Sequence, residues 1–354
     1  MRDGVAPEVL DGQLRSMTGA GASDLLVTAG APPMARVDGA LAPIPGEPAL
    51  APAEADARVR AFLGPRLAAR MDEDGDVDFA FTWGEAHRFR GNAYLQRGVA
   101  TLALRRLPAQ APTPAQIGLP ASAVGFAEAP RGLVLVTGPT GSGKTTTMAA
   151  LIDHITARRP CHVITIEDPI EYEFSHRLGV VTQRQVGRDS PSFAAALRAA
   201  LREDPDVVLV GEMRDLESIQ TTLTLAETGH LVLATLHTND TAQAIDRVID
   251  VFPADRQALI RVQLGATLVG VVGQRLVPRV GGGRVAAYEV MVATPAVRAV
   301  IRDGRTEQLR NLIVTGASSG MQTLEASLRA AVGAGAVRLE DAVAVSAYPA
   351  DLAR

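Results

Sequence analysis

From residue 132 the chain reads Gly132-Leu133-Val134-Leu135-Val136-Thr137, then Gly138-Pro139-Thr140-Gly141-Ser142-Gly143-Lys144-Thr145-Thr146-Thr147. Met148, Leu151, Ile152 and Ile155 then follow at helical spacing. The first run is short, continuous and apolar, as suits a strand buried on both faces of a parallel sheet. The last four positions have the period of a helix with one buried side. Between them lie three glycines, the residue type that most readily takes the left-handed backbone a tight loop requires. Strand, glycine loop and helix in this order commit the segment to an α/β unit. Its loop N–H groups and the amino end of its helix converge on one point, which suits an anion.

Lys144 narrows the choice of anion. It is the only lysine, and the other 34 of the 35 Lys+Arg residues are arginine. A guanidinium is a broad planar fork, whereas an ammonium on a slim stem can thread beneath a turn of backbone. Gly138, Gly143, Lys144 and Thr145 fit Gly-x-x-x-x-Gly-Lys-Thr, in which the amine reaches the β- and γ-phosphates and the Thr145 hydroxyl holds Mg²⁺. The predicted phosphate cradle is therefore Gly138, Pro139, Thr140, Gly141, Ser142, Gly143, Lys144, Thr145 and Thr146, and its ligand a nucleoside triphosphate. ATP and Mg²⁺ are the expected cofactors.

Four apolar runs alternate with helical patterns, Leu133–Val136, His162–Ile166, Val207–Val210 and Leu231–Leu236, which predicts a parallel sheet. Each ends in something polar: the glycine loop, Glu167-Asp168, Gly211-Glu212 and His237. Ligands of open α/β sheets sit beyond the carboxyl ends of the strands. Splitting a phosphoanhydride takes a metal ion to neutralise charge, a carboxylate to orient or activate water, and cations for the transition state. Glu212 is placed to hold the metal ion, directly or through water, and Glu167 is a second acidic candidate. Spacing alone leaves open which of them activates water. His237 directly follows its strand and is positioned to sense the γ-phosphate; His230, before the same strand, is the other histidine candidate.

The rest of the chain bounds the organisation. Leu107–Pro120 carries four prolines and reads as a semi-rigid linker, so the expected division is 1–107, a linker at 108–120, and 121–354. In the first part His87–Leu95 and Val99–Leu104 flank a turn and read as a hairpin, and Ala53–Arg70 as a helix. The 35 basic against 39 acidic residues give a net charge of −4, and aromatic content is 4%, so nucleic acid is not an expected partner. The single Cys161 excludes an internal disulfide and any Cys-x-x-Cys zinc site. Neither a signal peptide nor a run of about 18 apolar residues is present, and the chain reads as cytoplasmic.

Longer matches add a resemblance. Leu201-Arg202-Glu203-Asp204-Pro205-Asp206-Val207-Val208-Leu209-Val210-Gly211-Glu212-Met213-Arg214-Asp215 resembles the signature of the secretion and type IV pilus ATPases. Ile164 to Tyr172 is similar to the family's aspartate box, and Thr228-Gly229-His230 through His237-Thr238-Asn239 to its histidine box. Ala22-Ser23-Asp24-Leu25, Phe89-Arg90-Gly91-Asn92-Ala93, Thr294–Arg302 and Gly320–Leu324 are similar to the pilus-retraction branch. Leu26 stands where relatives often carry His, and Asn239-Asp240 resembles the assembly and secretion branch. The resemblance implies a PAS-like N-terminal α/β domain linked to a RecA-like P-loop core with a helical C-terminal tail. It implies a homo-hexamer in which Arg90, Arg97 and Arg105 (or its neighbour Arg106) complete the nucleotide site from the N-terminal domain.

The implied function is an ATPase motor for pilus retraction. It acts on an inner-membrane platform protein, and through it on pilin, from the cytoplasmic face of the membrane. The alternatives are a pilus-assembly or type II secretion ATPase, a retraction accessory homologue, a hexameric nucleic-acid translocase, and a nucleotide-binding regulator without turnover. Ala296, Val297, Val300 and Ile301 form an apolar stripe beside Arg298, Arg302 and Arg305. That stretch is expected to be a helix that couples the motor to its output.

Overall fold

The computed structural model describes residues 5–37, 39–84, 87–108, 110–213 and 215–352. The chain divides into two compact units, Met1–Gln110 and Ala111–Arg354.

In the first unit, α1 (Asp11–Gly19) precedes β1 (Asp24–Val27), β2 (Met34–Val37) and β3 (Ala40–Pro43). Then come α2 (Pro52–Asp74), β4 (Asp76–Trp83), β5 (His87–Gln96) and β6 (Val99–Leu107). The six strands make one antiparallel sheet in the order β3-β2-β1-β6-β5-β4. The hairpin read from sequence is β5–β6, closed by Arg97 and Gly98, both at positive φ. The predicted helix is α2, interrupted where Gly64 takes φ 69° ahead of Pro65. Proline has no N–H for the helix ladder, and its ring disfavours helical backbone just before it, so the chain breaks there and restarts. Phe62 and Leu63 of α2 pack on Phe79, Phe81, Phe89 and Leu102 in a core belonging to this unit alone.

The second unit opens with residues 111–120, and the end of this proline-rich stretch lies against its own core. Leu119 is buried, and the Tyr288 Oη donates to the Ile117 carbonyl at 2.8 Å. The elements then run α3 (Ala121–Gly125), β7 (Gly132–Thr137), α4 (Lys144–Thr156), β8 (His162–Glu167) and β9 (Val180–Gln185). Next are α5 (Phe193–Ala200), β10 (Val207–Val210), α6 (Leu216–Glu227), β11 (Leu231–Leu236), α7 (Thr241–Asp250) and α8 (Ala254–Thr267). Then β12 (Leu268–Pro278) pairs with β13 (Arg284–Val292), and α9 (Pro295–Arg302), α10 (Leu309–Thr315), α11 (Leu324–Gly333) and α12 (Leu339–Val345) form a helical tail.

The sheet order is β13-β12-β7-β11-β10-β8-β9, parallel throughout except for β13. Alternation along β7 shows why its apolar run is continuous. Leu133 and Leu135 enter the core against α6 to α10, while Val134 and Val136 enter the core against α3 and α4. Mixed α/β architecture, with helices on both faces of the parallel sheet, is thus what the sequence led one to expect. The order β7-β11-β10-β8 makes neighbours of the four predicted strands, so the groups that follow them stand side by side about 4.8 Å apart per strand.

Candidate functional site

The loop after β7 is built from glycines at positive φ and one buried cation. Gly138, Gly141 and Gly143 have φ of 152°, 76° and 89°, backbone that L side chains rarely adopt. At two of them space is also closed. A Cβ on Gly138 would lie 2.4 Å from the Gln274 carbonyl oxygen, and one on Gly143 2.8 Å from the Gln274 amide nitrogen. Gly143 is the N-cap of α4, so the amino end of that helix opens directly onto the loop. The Lys144 side chain folds under the loop, donating to the carbonyls of Gly138 (2.8 Å) and Pro139 (3.1 Å). Burial lowers its pKa, and the nearby Glu212 charge opposes that shift.

The third hydrogen bond of the Lys144 amine joins the strand ends together. It goes to His237 Nδ1 at 3.2 Å, and His237 Nε2 lies 3.3 Å from Glu212 Oε1. An ammonium can only donate, so Nδ1 accepts and the ring proton sits on Nε2, aimed at the carboxylate. Lys144, His237 and Glu212 therefore form one line across the ends of β7, β11 and β10. The start of the following loop is fixed by Thr137, whose hydroxyl is 2.6 Å from that of Thr238.

Glu167 ends β8 and is buried, with 6% of its surface exposed. It accepts from the Thr165 hydroxyl (2.7 Å) and the Gln183 amide (3.2 Å). Burial nevertheless raises its pKa, a shift toward greater basicity. Gln183 also donates to the Tyr172 carbonyl at 2.8 Å, and the Tyr172 hydroxyl stands 3.0 Å from that of Thr146. Glu167 is thus tied through two side chains to the first turn of α4.

Of the two histidines, His237 alone stands at the loop. His230 precedes β11, so it lies at the opposite end of the strand from His237, about 23 Å away at ~3.3 Å per residue. Its Nδ1 is 2.9 Å from the Leu225 carbonyl, at the end of α6, and its own carbonyl accepts from Gly132 N. Within one chain it does not join the loop. The three arginines are not one cluster either. Arg90 and Arg105 are cross-strand neighbours, and Arg105 donates to Asp24 at 2.8 Å. Arg97 sits in the hairpin turn, about 23 Å from Arg90 along β5 by the same rise per residue.

Sequence reasoning missed Tyr172, Gln183 and Gln274. Gln274 left a readable trace, as the polar residue inside Leu268-Val269-Gly270-Val271-Val272-Gly273-Gln274, an apolar run. Tyr172 closes the segment likened to the aspartate box, whereas Gln183 left no trace, because only the fold brings it to the loop.

Comparison with known proteins gives this arrangement a family. The family described as Type II/IV secretion system protein matches residues 3–344. The chain belongs to that family. It is 46% identical over 322 residues to the type IV pilus retraction ATPase PilT of Pseudomonas aeruginosa, covering 91% of this chain and 93% of that protein. The type IV pilus ATPase PilU of the same organism is 39% identical over 332 residues, covering 94% and 87%. Among solved structures, the pilus retraction motor PilT with bound ADP superposes with a TM-score of 0.90 at 44% identity, covering 97% of this chain and 98% of that one. ATPase activity is the general property of such a family of secretion and pilus motors.

Proposed function

We propose that this chain is the ATP-hydrolysing motor of type IV pilus retraction, working as a homo-hexamer on an inner-membrane platform protein. The observation that carries the reading is the line Lys144–His237–Glu212 set across neighbouring strand ends beside a glycine loop at a helix amino end. Identity of 46% over nearly the whole of a retraction ATPase, against 37% over 61% of this chain for a type II secretion relative, favours retraction over the secretion branch. Among the described residues no helix is long and apolar enough to cross a membrane, in keeping with a motor that works at the cytoplasmic face.

In this reading the loop N–H groups and the Lys144 amine bind the phosphates. On binding, the amine exchanges the carbonyls of Gly138 and Pro139 for phosphate oxygens, so a partner is ready in both states. Thr145 and Glu212 offer oxygen atoms of the kind Mg²⁺ takes, and Glu212 lies near enough to Lys144 for its charge to act there, so the donor set fits. Bound Mg²⁺ supplies neutralisation of phosphate charge. His237, half-exposed and bonded on both sides, is placed to donate to a terminal phosphate oxygen once Lys144 moves to the phosphates, with its ring proton then on Nδ1. Glu167, made more basic by burial, is the side chain we assign to the water, with Glu212 assigned to the metal. Arg90, Arg97 and Arg105 supply cations from the first unit.

The test uses the lone lysine. An amine-reactive reagent should modify Lys144 and the N-terminal amine, and Mg-ATP should protect Lys144 alone. Purified protein should hydrolyse ATP, and Lys144→Arg should lose most of that turnover because the fork does not fit the slot. Equal labelling with and without saturating nucleotide would remove the nucleotide site from the account.

A further inference from the structure

We infer that Gln274 is a positioning residue for the phosphate loop, an element of the site that comes from the strand β12 and not from the loop itself. The inference rests on the nucleotide-binding reading above and deepens it. Gln274 is 4% exposed, in a row of β12 side chains that is otherwise apolar on its α4-facing side. Val272, two residues earlier and on the same face, belongs to the core against α4. An unpaired amide there would be costly, and this one is used at both ends. Its Nε2 donates to the Ser142 carbonyl at 2.8 Å, and its Oε1 accepts from the Thr147 hydroxyl at 2.7 Å.

The consequence follows from peptide planarity. In a trans peptide the carbonyl of Ser142 and the N–H of Gly143 point in opposite directions. Gln274 holds the Ser142 carbonyl outward, toward β12, and so aims the Gly143 N–H inward, toward the anion seat. Were that peptide free to flip, a carbonyl oxygen would face the phosphates in place of a donor. The loop's own residues oppose such a flip poorly, because Gly143 can adopt many backbone conformations. Register makes the contact possible. Gly273 pairs with Thr137, the last residue of β7, so Gln274 lies beside Gly138, where the chain leaves the sheet. The second bond, to Thr147, fixes the amide's orientation from the first turn of α4. Loop and helix are thereby tied to one side chain.

A role aimed at the phosphate seat is separable from general support of the fold. Nucleotide affinity is measured by titration with ATP, ADP and adenosine for wild type, Gln274→Met, Gln274→Glu and Thr147→Val, together with Tm. Met keeps the volume and removes both bonds; Glu keeps the shape and replaces the donor with an oxygen. For Gln274→Met and Gln274→Glu, ATP and ADP should bind roughly 10- to 100-fold more weakly, the range expected when a buried carbonyl loses its partner. Adenosine affinity should be unchanged, and kcat at saturation should fall less than kcat/KM. Thr147→Val should weaken ATP by only a few-fold. Folded Gln274 variants with wild-type ATP affinity would overturn the inference alone. So would an equal loss for adenosine, which marks a merely structural role. Wild type that binds neither ATP nor ADP would instead overturn the nucleotide reading on which it depends.

Discussion

Glu167 is the residue at which chemistry and stability pull hardest against each other. Its folded-state pKa lies above the ordinary 4.5, with burial the leading cause. A raised carboxyl pKa means that the folded chain holds the proton more tightly than the unfolded chain. Stability is therefore greatest at low pH and declines as pH rises from about 4.5 through the folded value, after which the penalty is constant. Glu167→Gln keeps an oxygen for the bonds from Thr165 and Gln183 but removes the buried charge. It should lose ATP turnover yet unfold at a higher temperature than wild type at pH 8, the two Tm values converging toward pH 4.5. A variant less stable than wild type at pH 8 would contradict the assigned burial cost. Much of this site was legible in advance because each group follows an apolar run that could only be a buried strand. What was not legible came from pairs distant in sequence, such as Gln274 with Ser142. The histidine box spans β11, so His230 and His237 fall at opposite ends of that strand.

Among the elements, α9 departs most from its sequence reading. Val297, Val300 and Ile301 are buried as the stripe predicted, whereas Ala296 is exposed. Arg298 is not part of a free basic face. Its guanidinium donates to the carbonyls of Ala293 (2.9 Å), Gly265 (2.8 Å) and Ala266 (2.7 Å), closing the end of α8. Helical periodicity shows which side of a helix is apolar but not which backbone carbonyls a side chain will reach. Arg298→Ala should therefore be chiefly a stability variant, costing about 2 kcal/mol through the stranded carbonyls, as denaturant melts would show. Arg302 is exposed, and Arg302→Ala is the cleaner probe of coupling. It should hydrolyse ATP at the wild-type rate while cells carrying it keep surface pili and lose motility. Motility that merely tracks the ATPase rate would remove α9 from the coupling path. The strands were read more faithfully, with β10 and β11 found at the residues expected, since continuous apolar runs bounded by polar residues admit few other boundaries.

At the scale of the whole molecule, each unit owns a core, that of the first unit being built from α2 and its antiparallel sheet. The second unit, from residue 111, carries the glycine loop, the acidic strand ends and His237. A fragment of residues 111–354 should therefore fold and bind ATP. It should turn over slowly, because Arg90, Arg97 and Arg105 are gone and cations at a phosphoryl transition state are worth large factors in rate. Full turnover by the fragment would reduce those arginines to surface charge. The claim that hydrolysis at this site drives retraction is tested most directly by imaging labelled pili in a strain deleted for this protein. The strain is complemented with wild type or with Glu212→Gln, which keeps the pocket's shape while removing the charge that His237 faces. Wild type should restore shortening of extended pili, and Glu212→Gln, present at equal abundance, should leave pili that extend and do not shorten. Pili that shorten at the wild-type rate with Glu212→Gln would contradict the account.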